Sequence, residues 1–196
     1  MDDIKQEIRD HWFKDHVAML TQHGDLQVLN WKRPNNGTYR CRYVFDGNMM
    51  YISGDIGEAV FWLTWKAGIH TFNDLYIGYF KGKMNACSDN KMDFDSCKAV
   101  KRLREWTKQL KENEIEYDHN DMKNLFSLAR ECDNKEQWGW RLQSDEYSFV
   151  SDLEPDYWEW FYDIGDEIPA RIHAYLIGLQ MASEQITKIE EIKAGK

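Results

Sequence analysis

The first 24 residues carry apolar side chains at a nearly helical spacing. These positions are Ile4, Ile8, Trp12, Val17 and Leu20. Asp residues that can cap a helix precede the run, and Gly24, a residue type that favours helix ends, follows it. Because side chains three or four residues apart share one face of a helix, the pattern predicts an N-terminal helix over residues 2–24.

After this run the apolar pattern changes to the short alternation of β-strands. The segments LQVLNWKR, TYRCRYVFDG and NMMYIS are rich in β-branched and aromatic residues, and turn residues separate them. The pairs Asn36-Gly37 and Asp46-Gly47 suit tight turns, because these residue types accept a positive φ angle. We therefore predict an antiparallel meander of three strands.

The remainder of the chain returns to a helical period. The predicted helices cover residues 56–65, 72–84, 95–112, 119–132, 136–150, 155–163 and 167–187. We expect an α+β fold, in which a small three-stranded antiparallel sheet follows an N-terminal helix and the remainder is mostly helical. No linker-like segment divides the chain, so residues 1–187 are predicted as one α+β domain and residues 188–196 as a frayed C-terminal tail.

The chain of 196 residues is acidic, with a formal net charge of −9 and a pI near 5.2. Phosphate binding rewards an excess of Lys and Arg, so this charge excludes a protein that coats nucleic acid with its whole surface, although it allows a local basic patch. The sequence shows neither a signal peptide nor a run of about 18 apolar residues. These absences predict a cytoplasmic protein with no membrane partner.

The cysteines and histidines do not follow a metal-binding pattern. Cys41, Cys87, Cys97 and Cys132 form no C-x-x-C pair, and no H-x-x-x-H or H-E-x-x-H motif occurs. The sequence also lacks a Walker loop and the G-x-G-x-x-G and G-x-S-x-G motifs. We therefore predict reduced thiols, no metal, no cofactor and no catalytic residue, and hence a protein that is not an enzyme.

The segment SGDIGEA places two carboxylates three residues apart at a predicted strand-to-helix junction. Asp55 would stand at the N-cap of the helix 56–65 and Glu58 at its third position, the arrangement of a capping box. Both carboxylates would also face the positive end of the helix dipole. The alternative is a metal or acid–base site formed by the same two side chains, which would make the protein a nucleotide- or metal-binding enzyme.

Residues 30–90 carry the sequence features of a known group of proteins. The order GDIGEA at 54–59 and YFKGK at 79–83, together with the C-terminal piece HAYLIGLQMA, resembles a family of small accessory proteins of bacteriophages and other mobile elements. Met84 stands here where the family pattern has Cys. The resemblance implies a phage accessory protein, in the class that includes anti-CRISPR and other anti-defence proteins, and hence a location in the cytoplasm of a bacterial host.

Residues 152–167 combine seven acidic and five aromatic side chains without a basic one. Such a surface can imitate the spaced phosphates of a nucleic acid and occupy a basic groove, with aromatic side chains as anchors. The predicted partner-binding residues are Asp152, Glu154, Asp156, Tyr157, Trp158, Glu159, Trp160 and Asp163. The alternative is a short amphipathic helix with its aromatic side chains in the core and its acidic ones in water.

Residues 98–111 hold six basic residues and one acidic residue. A helix over this segment could dock on a nucleic-acid backbone or bind a nucleotide. In that alternative the nucleic-acid-binding residues are Lys98, Lys101, Arg102, Arg104 and Lys108. A solvated helix face is the simpler interpretation, and the basic and acidic stretches could also pair with each other.

These observations favour a protein that functions by binding. We expect a phage-encoded inhibitor of a bacterial defence system, whose acidic and aromatic surface occupies the nucleic-acid groove of a host defence protein, in particular a CRISPR effector nuclease. Competition for that groove would block nucleic-acid loading. The alternatives are an enzyme that uses Asp55 and Glu58, and a direct nucleic-acid binder that uses the basic helix at 98–111.

Overall fold

The computed structural model describes residues 2–195, and for Asp2 it describes the backbone alone. The contacts between residues divide the chain into two compact units. The first unit consists of residues 2–91 and 169–195, and the second consists of Met92–Ile168. The prediction of a single domain stays a prediction, because a compact unit is not by itself an independently folding domain.

The first unit contains a six-stranded antiparallel sheet whose strands are neighbours in chain order. The strands are β1 (Val17–His23), β2 (Leu26–Lys32), β3 (Cys41–Asp46), β4 (Met49–Gly54), β5 (Ala59–Trp62) and β6 (Met84–Cys87). The chain is α+β, but the predicted small three-stranded sheet is wrong. Strands β2, β3 and β4 are the predicted meander, whereas the other three strands lie in or beside segments that were predicted to be helical.

Strand β1 occupies the second half of the predicted N-terminal helix. Helix α1 (Asp2–Glu7) continues only as a π-helical turn, Ile8–Trp12, which a 2.9 Å hydrogen bond from Phe13 N to Ile8 O closes. Beyond it, β1 pairs with β2 over the whole length of both strands. The predicted helix to residue 24 is wrong because strand pairing outweighs the local apolar spacing.

Strand β5 replaces the helix predicted over residues 56–65. Its four side chains, Ala59–Trp62, alternate between buried and more exposed positions, as in a strand with one face in the core. Four residues are too few for periodicity to distinguish a strand from a helix. Of the helix predicted over 72–84, only α2 (Ile77–Gly82) is helical, because the chain turns into β6 directly after it.

One face of the sheet packs against helix α7 (Ala170–Ala194). The hydroxyl of Tyr43 donates a 3.1 Å hydrogen bond to the Tyr175 carbonyl oxygen on this helix. A Cβ atom at Gly178 would lie 2.6 Å from the Tyr43 hydroxyl, so glycine is what permits this close approach. The buried side chains of one row across the core face are Leu29, Tyr43, Ile52 and Ala59.

Helix α7 extends beyond the predicted boundary of 167–187. Residues 188–194 are helical, and their side chains are exposed. Residue 196 of the predicted tail lies outside the described residues. Fraying of the tail stays a prediction, and the described part of it is the solvent-exposed end of a helix.

The opposite face of the sheet, here called the open face, is only partly buried. Strand register places the side chains of one row, mostly apolar, on this face: Thr21, Val28, Val44, Tyr51, Val60 and Ala86. Trp62 pairs with Met49 on the same face and is 62% exposed. The open face thus presents large apolar side chains to solvent.

The second unit is helical around its own core. Its helices are α3 (Ser96–Glu112), α4 (His119–Glu131), α5 (Lys135–Leu142) and α6 (Phe149–Leu153), and its two short strands are β7 (Asp93–Phe94) and β8 (Asp166–Glu167). Helices α3 and α4 confirm the predictions for 95–112 and 119–132. The predicted helix 136–150 is wrong as one element, because a 3₁₀ turn separates α5 from α6.

Candidate partner-binding surface

Residues 152–163, here called the acidic-aromatic segment, belong to the second unit and form no continuous helix. Helix α6 ends at Leu153, and two 3₁₀ turns, Tyr157–Glu159 and Phe161–Asp163, follow. Pro155 explains the break, because a proline disfavours the helical conformation of the residue before it and lacks an N–H group. The predicted helix 155–163 is therefore wrong.

The aromatic side chains of this segment point in different directions. Phe161 is fully buried in the core of the second unit. The Trp160 ring packs against Trp106 and Phe161, and Tyr157 packs edge-on against Phe161. Trp158, in contrast, is 60% exposed. Of the three predicted aromatic anchors, only Trp158 offers most of its side chain to a partner.

Two of the predicted acidic residues are engaged inside the unit. Glu154 accepts a 3.1 Å hydrogen bond from the indole N–H of Trp106. Asp163 lies 2.5 Å from the Lys135 ammonium, which also contacts Asp166. Burial alone would lower the pKa of Lys135, but the two carboxylates outweigh burial and raise it, so Lys135 keeps its charge. Glu154 and Asp163 are consequently less available to a partner than predicted.

The other three acidic residues remain exposed. Asp152, Asp156 and Glu159 have exposed side chains and no ion pair within residues 2–195. They lie within eight residues of the chain, and Trp158 lies between the last two. This set forms a small surface with three negative charges and one exposed indole ring.

The predicted basic helix is α3, and Asp95 caps its N-terminus by accepting from the backbone N–H groups of Cys97 and Lys98. Its basic side chains are only partly free. Lys98 pairs with Glu167 at 2.6 Å, and Lys108 pairs with Glu112 at 3.4 Å. These two lysines are thus weak candidates for contacts with phosphate.

The acidic and basic stretches meet each other in part. The Arg102 guanidinium lies 5.9 Å from the Trp160 ring centre, a cation–π distance, and Lys98 forms its ion pair with Glu167. Lys101 and Arg104 are exposed and have no ion pair among the described residues. Contact between the two stretches reduces the number of side chains that each predicted site can offer to a partner. Exposed charged side chains nevertheless remain in both sites.

The negative charge of the protein is concentrated in the second unit. Residues 92–168 contain 20 acidic and 10 basic residues, a net charge of −10, whereas the rest of the chain contains 14 acidic and 15 basic residues, a net charge of +1. The whole chain carries −9. The exposed carboxylates of the acidic-aromatic segment therefore lie in a unit whose long-range field is strongly negative.

The loop after β4 serves the fold of the first unit rather than a helix cap. Asp55 accepts a 2.7 Å hydrogen bond from Tyr39 N, and its own N–H donates to the carbonyl of Arg40. The Glu58 N–H donates to the Ser88 hydroxyl at 3.1 Å, and the Glu58 carbonyl accepts from Ser88 N at 3.0 Å. No helix begins here, so the predicted capping box is wrong. Strand β5 and its neighbours determine the loop instead.

The structure does not support a metal site at Asp55 and Glu58. Among the described residues, no group of three or more His, Cys, Asp or Glu side chains lies close enough to hold a metal ion.

The cysteines are all free, with Cys41 and Cys132 buried, Cys87 half-buried and Cys97 exposed. Burial raises the pKa of the Cys41 thiol to about 12, so this thiol stays protonated at neutral pH.

Sequence reasoning missed a second group of residues, in the first unit. Trp62, Trp65, Lys66 and Lys83 line one cavity. Trp62 and Trp65 come from the helix predicted over 56–65, Lys83 comes from the helix predicted over 72–84, and Lys66 directly follows the first of these segments. One sequence pattern could have predicted the exposure of Trp62: the alternation in AVFW, residues 59–62, places this side chain on the exposed side of a short strand. Alternation over four residues was too short to be recognised.

Comparison with known proteins identifies no relative. No protein-family model, curated protein or solved structure matches this chain. The resemblance to phage accessory proteins therefore stays a prediction from the motifs themselves. In the part of the chain that the structure describes, no helix combines the length and the apolar content needed to span a bilayer.

Proposed function

We propose that this protein is a phage-encoded inhibitor of a bacterial defence system. It binds a CRISPR effector nuclease and blocks the loading of nucleic acid by occupying a basic groove. The observation that carries the proposal is the exposed set Asp152, Asp156 and Glu159 beside Trp158, in a unit of net charge −10. The resemblance to phage accessory proteins supplies the biological context.

The chemistry of such a groove fits this surface. Grooves that bind nucleic acid are lined with Lys and Arg, which attract spaced negative charges over about 8 Å at physiological salt. An exposed indole ring provides a large rigid contact, the kind of side chain that dominates binding energy at interfaces. The binding surface is accordingly narrower than the sequence predicted, since Glu154, Tyr157, Trp160 and Asp163 are engaged within their own unit.

The experiment is a competition assay on a panel of purified CRISPR effector nucleases. Fluorescence anisotropy reports the loading of labelled target DNA, and the protein is added at increasing concentration. Neutralising the surface by Asp152→Asn, Asp156→Asn and Glu159→Gln should raise the inhibition midpoint at least about tenfold and flatten its dependence on salt. Trp158→Ala should raise it about thirtyfold at constant salt.

A matched variant controls for the change in net charge. Glu105, Glu116 and Glu136 are exposed acidic residues of the same unit that lie outside the acidic-aromatic segment. Their replacement by Gln removes three charges and should leave the midpoint within about twofold, because long-range charges are screened. Equal effects of the two triple variants, or no inhibition of any nuclease, would contradict the proposal.

The direct binding of nucleic acid by α3 has weaker support. Of the five predicted residues, Lys98 and Lys108 form ion pairs and Arg102 covers the Trp160 ring. This leaves Lys101 and Arg104 of that set without an ion pair among the described residues. Two phosphate contacts predict a shallow salt dependence and weak affinity. Enzymatic use of Asp55 and Glu58 has no supporting geometry, and we do not propose it.

A further inference from the structure

A cavity of about 820 Å³ opens beside the C-terminal end of β5 in the first unit. Three segments form its walls: residues 47–48 in the β3–β4 turn, residues 62–66 at and after the end of β5, and residues 82–85 from the last residue of α2 into β6. We call it the aromatic-lysine pocket. Its volume lies in the range of cavities that hold cofactors and nucleotides.

Backbone hydrogen bonds tie the three walls of this pocket together. Trp62 N donates to Lys83 O at 3.1 Å, Leu63 N donates to Asn48 O at 2.8 Å, and Ala67 N donates to Gly47 O at 2.7 Å. Leu63 and Ala67 are also buried in the core. Because the walls are joined through the main chain, the pocket is preformed and a ligand does not need to order it.

Two tryptophans supply aromatic surface at this pocket. Trp62 is 62% exposed on the open face of the sheet. Trp65 stacks on Tyr79, with ring centres 6.1 Å apart and an interplanar angle of 14°. Stacking holds Trp65 in place, whereas the exposed ring of Trp62 has a free face. A planar ring of a ligand can stack on that free face.

The charge of the pocket is positive, in contrast to the chain as a whole. Lys66 and Lys83 line it, and no acidic residue is among its lining residues. Neither lysine forms an ion pair within residues 2–195, and the Lys83 ammonium lies over the Tyr79 ring at 4.8 Å. Asn48 and Asn85 add amide groups that can donate and accept hydrogen bonds. The surrounding unit has a net charge of +1, so the acidic character of the chain does not extend to this pocket.

We propose that the aromatic-lysine pocket binds a nucleotide. The base stacks on Trp62, the phosphate is held by Lys66 and Lys83, and the amides of Asn48 and Asn85 reach the edge of the base or the sugar. This chemistry is shared by a free nucleotide and by one nucleotide of a single strand. The pocket lies in the first unit and the acidic-aromatic segment in the second, so this site is independent of the function proposed above.

Binding is measured with the purified full-length protein and two probes. One is a fluorescein-labelled oligonucleotide of about ten nucleotides, long enough to fill a typical single-strand site. The other probe is ATP, whose binding is measured by calorimetry and by its displacement of the labelled oligonucleotide. Trp62→Ala should weaken binding about tenfold or more. Lys66→Gln should weaken it uniformly across base sequences and lower the slope of log Kd against log salt by about one.

Two control variants test whether the pocket itself is responsible. Trp140→Ala removes a more exposed indole ring, at 77%, and Lys123→Gln removes an exposed charge, both in the second unit. Neither should change the Kd more than twofold. Binding of ATP assigns the pocket to free nucleotides, and binding of the oligonucleotide alone assigns it to a strand. Absence of saturable binding to both probes, or equal losses in the pocket and control variants, would overturn the proposal.

Discussion

At the scale of single residues, Gly54 determines whether the loop after β4 can form. Its φ angle is 148°, a conformation that residues with a side chain rarely adopt, and a Cβ atom there would overlap the carbonyl oxygen of Arg40. We expect Gly54→Ala to lower the free energy of unfolding by at least about 2 kcal/mol. Urea denaturation of the wild type and the variant measures this difference in the free energy of unfolding.

The control for this substitution is Gly139→Ala. Gly139 lies within α5, and a Cβ atom there would meet the Tyr162 ring at 3.5 Å, an ordinary van der Waals distance. Because alanine favours helices more than glycine does, this change should be neutral or stabilise the protein by up to about 1 kcal/mol. A similar loss for both variants would show that backbone strain at Gly54 is not the cause.

His16 should make stability depend on pH. The residue is 2% exposed, Nε2 lies 3.2 Å from the Tyr39 carbonyl oxygen, and the buried Nδ1 has no hydrogen-bond partner within residues 2–195. Burial lowers the pKa of His16 below its ordinary value of 6.5; the nearby Arg33 also lowers it, whereas the Tyr39 carbonyl and Asp15 raise it. The unfolded chain therefore binds a proton more readily than the folded one.

The sign of this effect follows from proton linkage. Stability should be fully present above about pH 6.5 and fall as the pH drops through the folded-state pKa, by up to about 1.4 kcal/mol per pH unit. Unfolding by urea at a series of pH values from 7.5 to about 5 tests this. His16→Gln keeps a donor for the Tyr39 carbonyl but does not titrate, so its curve should be flatter. Parallel curves of unfolding free energy against pH for the two proteins would exclude His16 as the origin of the pH dependence.

At the scale of elements, α3 depends on its N-terminal cap. Asp95 accepts hydrogen bonds from Cys97 N at 2.8 Å and Lys98 N at 3.1 Å. Asp95→Ala leaves these two donors without that acceptor and should cost about 1 kcal/mol. Asp133→Ala, at an exposed position whose side chain caps no helix, should change stability by less than about 0.5 kcal/mol. Equal urea midpoints for the two variants would contradict this role of Asp95.

At the scale of the whole molecule, the second unit has the features of an excisable segment. Asp93 and Glu167 are directly paired in the β7–β8 ladder, so the two ends of the unit are adjacent. The unit also has its own core of buried side chains around Leu103, Leu125 and Trp138. We expect residues 92–168, expressed alone, to fold with a helical circular dichroism spectrum.

The expected stability of this fragment is modest. A segment of this size seldom gains more than about 5 kcal/mol from a single core. Its thermal unfolding should nevertheless be cooperative, and Trp138→Ala, which empties a fully buried position, should abolish cooperativity. A fragment without a thermal transition would support one domain over the whole chain instead. A folded fragment that still inhibits a nuclease would locate the proposed inhibitory surface in this unit.

Local interactions explain which parts of the fold and of the candidate surface could be predicted. Helices α3 and α4 are determined by apolar spacing and by Asp95 and Asp118 at their N-caps, since helical hydrogen bonds join residues close in the chain. The exposed acidic residues of the second unit follow from composition, because unpaired carboxylates seldom lie in a core. Strands β2 to β4 follow from alternation between clear turns.

Contacts between different segments of the chain specify the remaining features of the fold. Strands β5 and β6 have only four residues each, and the apolar spacing within β1 also fits a helix. The hydrogen bonds of all three strands join them to neighbouring strands, so no local pattern specifies them. Neighbouring elements likewise cover part of Trp160 and leave Trp158 exposed, although both belong to one motif. Local sequence patterns determined helices α3 and α4, the central meander and the charge of this protein. Long-range packing decided the width of its sheet, the exposed part of its acidic surface and the pocket of the first unit, because each depends on segments that are distant in the chain.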